Sequence, residues 1–218
     1  MVAAKSLVAA ALAWLVCATA ALADPPTVKL SKADQAKAVA ALLNTSDLGP
    51  GWAGGAIAPS PLTPPNCPGF DPKESDLTVT GHADARFTFA AGGVELDQDV
   101  QVLASPADVT TDFHRTISPQ LGTCLAHQLA QLSEVAGVTV TKVPFPPTGT
   151  VSAVYRALVA VRSGKSHGTL LSDYVFFGEG RVEYEFTIIA PVGTGSQLAR
   201  FELGLAQILL KRAGVLPA

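Results

Sequence analysis

Hydrophobic and polar residues alternate with a period of two along two neighbouring segments in the middle of the chain. Over residues 85–89, alanine and phenylalanine alternate with arginine and threonine, and over residues 94–102 valine and leucine alternate with acidic residues and glutamine. An Ala-Gly-Gly sequence at residues 91–93 joins the two segments. This pattern predicts a β-hairpin with one apolar and one polar face.

The remaining elements complete a mixed architecture. Further strands are predicted over residues 138–143, 151–162, 169–177 and 181–190, and helices over residues 31–43, 105–117 and 193–212. Another helix is predicted to begin at Ser118-Pro119 and to hold Cys124, Leu125 and Leu129. This order predicts the α+β class, with one largely antiparallel β-sheet of about five or six strands and helices packed on one face. We expect a single domain over residues 28–216.

A long segment from Gly49 to Lys73 shows no periodicity and holds seven prolines and five glycines. Loops of this length are uncommon inside a compact domain unless they have a function. We expect Trp52 to pack against the core, and residues 53–66 to form the rim of a groove beside Arg86 and Arg156.

The first 23 residues have the composition of a signal peptide. Lys5 precedes an uncharged stretch over residues 7–22, and Ala-Leu-Ala at residues 21–23 matches the small-x-small cleavage pattern. Export to the cell envelope or the medium follows, with no stable membrane span after cleavage. Lipid attachment at Cys17 and an uncleaved N-terminal anchor are the alternatives.

Two cysteines, Cys67 and Cys124, remain after cleavage. In an oxidising compartment they can pair, and a bond between them closes a loop worth roughly 4 kcal/mol in the chain-entropy model. Two buried free thiols are the alternative.

Charge argues against two classes of partner. Lys5 is the only charged residue before Asp24, so the exported part carries a net charge of −4. Such a surface gives no electrostatic reason to bind nucleic acid or an anionic membrane. The expected partner is instead an envelope ligand or another protein.

The sequence shows no catalytic, cofactor or metal motif. His82, His114, His127 and His167 fall in separate predicted elements, so we expect no metal site and no cofactor. Glu95, Asp97 and Asp99 alternate along a strand and lack the glycine-containing loop of a calcium site, so a solvated strand face is expected.

The polar face of the sheet is the strongest candidate for a binding site. Alternation places Arg86, Asp97, Asp99, Arg156, Glu183 and Glu185 on one side, and Phe87, Tyr155, Tyr184 and Phe186 on the other. We take Arg86, Arg156, Glu183, Glu185 and Trp52 as candidate ligand-binding residues, and expect Arg156→Ala to cost little stability. The alternative is an exposed face stabilised by cross-strand ion pairs.

A family resemblance rests on residues 41–52, which read Ala-Leu-Leu-Asn-Thr-Ser-Asp-Leu-Gly-Pro-Gly-Trp. This stretch resembles the opening of many exported actinobacterial proteins, in which a similar stretch precedes a β-hairpin. The order of elements resembles the extracellular sensor domain of mycobacterial PknH-like kinases and related envelope lipoproteins, over most of the exported part. The kinase sensor has two disulfides where this sequence allows one, and neither a kinase domain nor a lipobox is found here.

This resemblance implies a domain that binds envelope ligands or partners, with no catalytic residues to carry over. The sequence therefore favours a sensor-like, non-catalytic binding domain of the cell envelope. The alternatives are a secreted hydrolase that uses carboxylates of the polar face, such as Glu183 and Glu185, and a structural envelope protein.

Overall fold

Thirteen helices and strands follow one another in the described part of the chain. The computed structural model describes residues 24–164 and 166–213. The predicted signal peptide, which includes Cys17, lies outside these ranges. Within them, no helix is both long and apolar enough to cross a membrane.

The strands of the described ranges form one eight-stranded sheet. They are β1 (Thr27–Val28), β2 (Trp52–Ile57), β3 (Thr78–Phe89), β4 (Val94–Leu103), β5 (Val135–Val143), β6 (Val151–Ser163), β7 (Ser166–Glu179) and β8 (Val182–Pro191). The order across the sheet is β1-β3-β4-β8-β7-β6-β5, and β2 pairs with β3 beside this path. Only the pairing of β1 with β3 is parallel. The α+β class and the largely antiparallel sheet are confirmed, with eight strands instead of five or six.

Strand β2 lies within the segment predicted to be a loop. Its two central residues are glycines, which have low strand propensity, so its sequence resembles a loop. Gly54 pairs with Phe87 and has a φ of +134°. A Cβ at this position would stand 2.0 Å from the backbone oxygen of Arg86, so the close approach of the two strands requires glycine.

Five helices accompany the sheet in the described ranges. They are α1 (Lys32–Ala40), α2 (Thr45–Leu48), α3 (Pro106–Thr116), α4 (Pro119–Ala130) and α5 (Gly195–Arg212). Two helices begin at serine N-caps, because the side chains of Ser31 and Ser105 each accept a hydrogen bond from a backbone N–H of the first turn. Ser118, before α4, makes no such bond. Pro106 and Pro119 occupy the first positions of α3 and α4.

Helices cover both faces of the sheet. Helices α1, α2 and α5 pack on the side of Phe87, Phe177 and Phe186, which we call the aromatic face. Helix α4 packs on the opposite side of the sheet. According to the strand register, Asp84, Asp99 and Glu185 project from this side, which we call the carboxylate face. Helix α3 joins it there, since a Cβ at Gly178 would meet Val109 at 2.6 Å.

The expectation of helices on one face is therefore wrong. Its physical cause lies in β6, which is apolar on both sides: Val154 belongs to the core on the aromatic face, whereas Tyr155 and Val159 contact the residues around α4. Strands that are buried on both faces lose the alternation that identifies a solvent-facing side.

A disulfide links Cys67 to Cys124, with their Cα atoms 5.5 Å apart, as predicted. It attaches the crossing loop, residues 58–77 between β2 and β3, to α4 on the carboxylate face. Phe70 of the same loop is buried in the small core around the disulfide. The loop is thus held both by a covalent bond and by the packing of Phe70.

Candidate functional site

The register of β3, β4 and β8 brings polar side chains together in adjacent rows on the carboxylate face. Asp84 of β3 pairs with Asp99 of β4, which pairs with Glu185 of β8. One row away, Gln101 lies between His82 and Glu183. Residues that are directly opposite on antiparallel strands project to the same side, so these groups share one surface.

The five candidate residues divide between the two faces. Arg86, Glu183 and Glu185 lie on the carboxylate face, as predicted, together with Asp97 and Asp99. Arg86 donates through Nε to Asp97 Oδ1 at 2.5 Å. The face is less solvated than expected, because the side chain of Asp97 is 29% exposed and that of Asp99 27% exposed.

Arg156 lies on the opposite, aromatic face, and Tyr155 lies on the carboxylate face, so both assignments are corrected. In the β6–β7 register Arg156 pairs with Asp173, and its Nε and Nη2 donate to the two carboxylate oxygens at 2.8 and 2.5 Å. Glu202 of α5 is buried beside this pair. Burial and the neighbouring Asp173 raise the pKa of Glu202 to about 9.

Trp52 packs against the core of the aromatic face, as predicted, and not beside Glu183 and Glu185. Its ring stacks on Phe201 of α5 at a centroid distance of 5.7 Å and lies 5.6 Å from the ring of Phe89. The residues after it continue as β2, which pairs with β3, so the start of the predicted rim is a strand.

The crossing loop reaches the carboxylate face at another place. The backbone N–H of Ser60 donates to Asp84 Oδ2 at 2.7 Å. Cys67 of the same loop is bonded to α4. Between Ser60, which contacts β3, and Cys67, the loop therefore crosses the carboxylate face. The loop contacts the face at Asp84. Of the two arginines expected beside residues 53–66, Arg86 pairs with Gly55 of β2, whereas Arg156 lies on the aromatic face.

A cluster of His82, Asp84 and Asp99 lies at this crossing. His82 Nε2 stands 2.6 Å from Asp99 Oδ2 and 3.0 Å from Asp84 Oδ1. His82 and Asp84 are buried, with side chains 8% and 7% exposed. Each residue contributes one atom of a type that binds metals, an imidazole nitrogen or a carboxylate oxygen. These three atoms lie within 4.8 Å of one another.

Neighbouring donors hold each member of the cluster. Gln101 Nε2 donates to the other oxygen of Asp99 at 3.1 Å, and Ser60 holds the other oxygen of Asp84. Gln35 of α1 accepts from the backbone N–H of His82 at 3.1 Å and donates to its backbone oxygen at 2.7 Å. The oxygens that point at the imidazole are therefore oriented by bonds made elsewhere.

The electrostatics of the cluster follow from its burial. Burial opposes a charge on the imidazole, but the two aspartates outweigh it and raise the pKa of His82 to about 9. Burial raises the pKa of Asp99 in spite of His82. Burial and the like charges of Asp99 and Asp84 raise the pKa of Glu185 to about 8.

A second acidic group adjoins the first and consists of Glu74 from the crossing loop, Asp112 from α3 and Glu183 from β8. Burial and the charge of Asp112 raise the pKa of Glu74 to about 8 and that of Glu183 well above its ordinary value. Burial raises the pKa of Asp112 as well, and the neighbouring Asp112 adds to the effect of burial on Glu183.

Sequence reasoning missed His82, Asp84, Glu74 and Asp112. A signal for the first two exists in the sequence His-Ala-Asp at residues 82–84, because positions two apart on a strand share a face. Glu74 and Asp112 come from a loop and a helix, and no local pattern connects them to the sheet.

Comparison with known proteins adds no relative to this description. No protein-family model matches the chain, and no curated protein sequence gives a significant match.

Proposed function

We propose that the chain is an exported, non-catalytic binding domain of the cell envelope, and that its carboxylate face binds a cationic ligand. Export is supported by the signal-peptide pattern of residues 1–23, and the Cys67–Cys124 bond is compatible with an oxidising compartment. The resemblance of the element order to envelope sensor domains supports a binding role.

The observation that carries the proposal is an excess of carboxylates on one face. Eight acidic side chains are gathered there: Glu74, Asp84, Glu95, Asp97, Asp99, Asp112, Glu183 and Glu185. In the described ranges, the basic side chains that form ion pairs with them are His82 and Arg86.

This excess is costly in the absence of a cation. Carboxylates that leave water without a partner are destabilising, and they take up protons instead of staying charged. Burial raises the pKa of Glu74 and of Glu185 to about 8, so both carboxyls are protonated at neutral pH. A cationic ligand can replace these protons with its own positive charge. The carboxylates, which are destabilising without a partner, then contribute favourably to binding.

The construction of the face suits a binding site. Its floor consists of three paired strands, β3, β4 and β8, which hold their side chains in a fixed register. Its cover is an irregular loop with six prolines, attached at Ser60 and Cys67. Binding residues are often found on such loops above a rigid scaffold.

The test uses the purified chain from Asp24 onward with three cationic probes, spermidine, glucosamine and tetralysine, and with phosphate and glutamate as anionic probes. We expect a cationic probe to raise the unfolding temperature, with about 2.7 kcal/mol of stabilisation at 100 times its dissociation constant. Measurements in EDTA exclude effects of metal ions.

Variants locate the binding. Glu183→Gln and Glu185→Gln remove carboxyl groups that can give up a proton to a bound cation, so they should weaken binding of the cationic probe. Glu134→Gln, before β5, should leave it unchanged. Stabilisation by the anionic probes alone, or equal binding by all three variants, contradicts the proposal. If no probe of either charge binds, a structural role in the envelope is favoured.

A hydrolase is the second candidate, and one observation favours it. Glu185 carries a proton near neutral pH, and it faces Asp99 directly across β4 and β8. A protonated carboxyl beside a second carboxylate is the pair used for general acid and base catalysis. Hydrolysis of glycan or ester substrates by the purified chain, abolished in Glu185→Gln and retained in Glu134→Gln, would support this candidate over the binding domain.

A further inference from the structure

We propose that His82, Asp84 and Asp99 bind one divalent metal ion of the first transition row, with Zn²⁺ and Mn²⁺ as the best-matched ions. The inference rests on the proposed function, because it names an inorganic cation for part of the same face. It is carried by the geometry around one imidazole nitrogen.

Two carboxylate oxygens converge on that nitrogen, but hydrogen bonding explains only one of them. A ring nitrogen carries at most one hydrogen, and His82 Nε2 forms its hydrogen bond with Asp99 Oδ2 at 2.6 Å. Asp84 Oδ1, 3.0 Å from the same nitrogen, makes no hydrogen bond within the described ranges. This oxygen is buried and points into the cluster.

A buried carboxylate oxygen without a hydrogen bond destabilises the fold, and more so when the carboxylate is charged. The other oxygen of Asp84 already accepts a hydrogen bond from the Ser60 N–H, so the carboxylate cannot turn without losing that bond. A metal ion between the three groups satisfies Asp84 Oδ1 and the other two ligand atoms at once.

The spacing of the three atoms suits coordination. Bonds of about 2.1 Å to nitrogen and carboxylate oxygen place neighbouring ligand atoms about 3 Å apart in an octahedral site. The distance from His82 Nε2 to Asp84 Oδ1 is 3.0 Å, and the shorter contact with Asp99 needs to lengthen by a few tenths of an ångström. One imidazole with two carboxylates is a ligand set for Zn²⁺ or Mn²⁺.

The ligands are also supported from outside, as metal ligands usually are. Ser60 and Gln101 bond the distal oxygens of the two aspartates, and Gln35 fixes the backbone of His82 on both sides. Such outer contacts orient ligands, and their loss weakens metal binding about 10- to 100-fold. Asp99 is 27% exposed, which leaves a side for the ion to enter and for further ligands.

The alternative is a charged imidazole that bridges the two aspartates without a metal. Direct measurement separates the two. The purified chain from Asp24 onward, without a polyhistidine tag and after EDTA treatment and dialysis, is titrated with Zn²⁺, Mn²⁺, Mg²⁺ and Ca²⁺ in a calorimeter. Co²⁺ replaces Zn²⁺ for visible absorption spectroscopy, which reports nitrogen and oxygen ligation.

We expect one equivalent of Zn²⁺ or Mn²⁺ to bind more tightly than Mg²⁺ or Ca²⁺. His82→Asn and Asp84→Asn should weaken binding at least 100-fold. His127→Asn, which removes an exposed imidazole, and Glu134→Gln, which removes a carboxylate outside this face, should leave the metal affinity within about threefold of wild type.

A wild-type chain that binds no ion at one equivalent overturns the inference, and so does wild-type affinity in His82→Asn. If His82→Asn does not fold, Gln101→Leu keeps all three ligands and should weaken binding about tenfold; unchanged affinity in that variant overturns the inference as well. Spermidine binding in EDTA tests the proposed function separately: if it survives while metal binding is absent, only the metal site is rejected.

Discussion

Arg156 and Asp173 face each other across β6 and β7 and form a two-point ion pair beneath α5. The carboxylate of Asp173 is completely buried, and the guanidinium donates to both of its oxygens. The planar fork of arginine matches a carboxylate in this geometry, so the pair is positioned as well as charged. The side chain of Arg156 is 22% exposed, so the pair joins a half-buried arginine to a fully buried aspartate.

Arg156→Ala is therefore expected to destabilise the fold, in contrast to the small effect predicted from sequence. Removal of the arginine leaves Asp173 buried without a counter-charge, and the loss of one partner of such a pair costs about 3 kcal/mol or more. Urea unfolding followed by circular dichroism measures the change.

Arg86→Ala is the matched control for that experiment. Arg86 also pairs with an aspartate across two strands, but its side chain is 40% exposed. Exposed pairs contribute about 1 kcal/mol or less, so the loss should stay below that value. Equal losses in the two variants would show that the burial of Asp173 does not make its ion pair more important than the exposed one.

Arg156 was assigned to the wrong face because alternation of apolar and polar residues identifies a face in β4 but not in β6. In β4, polar residues alternate with apolar ones, and the face of Asp97 and Asp99 follows from that pattern alone. In β6, helices lie over both sides, and apolar residues occupy both phases of the strand. Whether the odd- or the even-numbered residues of β6 share a face with Glu183 depends on the pairing of β6 with β7 and of β7 with β8. The sequence of β6 alone does not determine that pairing.

Trp52→Ala should cost about 3 kcal/mol, because its ring fills a place between Phe89 and Phe201. Trp52→Phe keeps an aromatic contact and should lose less than half of that. Chemical denaturation of both variants gives the comparison. An unchanged midpoint in Trp52→Ala would mean that α5 and β2 do not depend on this stack.

The candidate site was predictable in its sheet residues but not in its cover. Glu183 and Glu185 follow from alternation along β8, whereas the bond from Ser60 to Asp84 and the position of Glu74 depend on the crossing loop. That loop has no periodicity, and its path depends on the bond between Cys67 and Cys124, which are 57 residues apart in sequence. Long-range contacts of this kind leave no local pattern to interpret.

Removal of the disulfide should destabilise the fold and release the crossing loop. The loop-closure model gives about 4 kcal/mol for a Cys67→Ala, Cys124→Ala double variant. Hydrogen exchange should rise over residues 58–77 more than in β7, which is paired on both sides. Titration of the denatured, unreduced chain from Asp24 onward should find no free thiol; two free thiols would contradict the bond.

Glu202→Gln should flatten the dependence of stability on pH. Burial and the neighbouring Asp173 raise the pKa of Glu202 from 4.5 to about 9, so the folded chain holds a proton that the unfolded chain has released. Between these two values the folded state binds more protons than the unfolded state, and stability falls as pH rises. One such group contributes a slope of up to about 1.4 kcal/mol per pH unit.

Glutamine carries no titrating proton, and its amide can donate to Asp173 as the protonated acid does. The variant should therefore lose less stability than wild type between pH 5 and pH 9, and it should be the more stable of the two at pH 8. Glu134→Gln serves as the control and should follow the wild-type curve. Urea unfolding at intervals of one pH unit measures the difference; parallel curves for wild type and Glu202→Gln would show that Glu202 is charged in the folded chain.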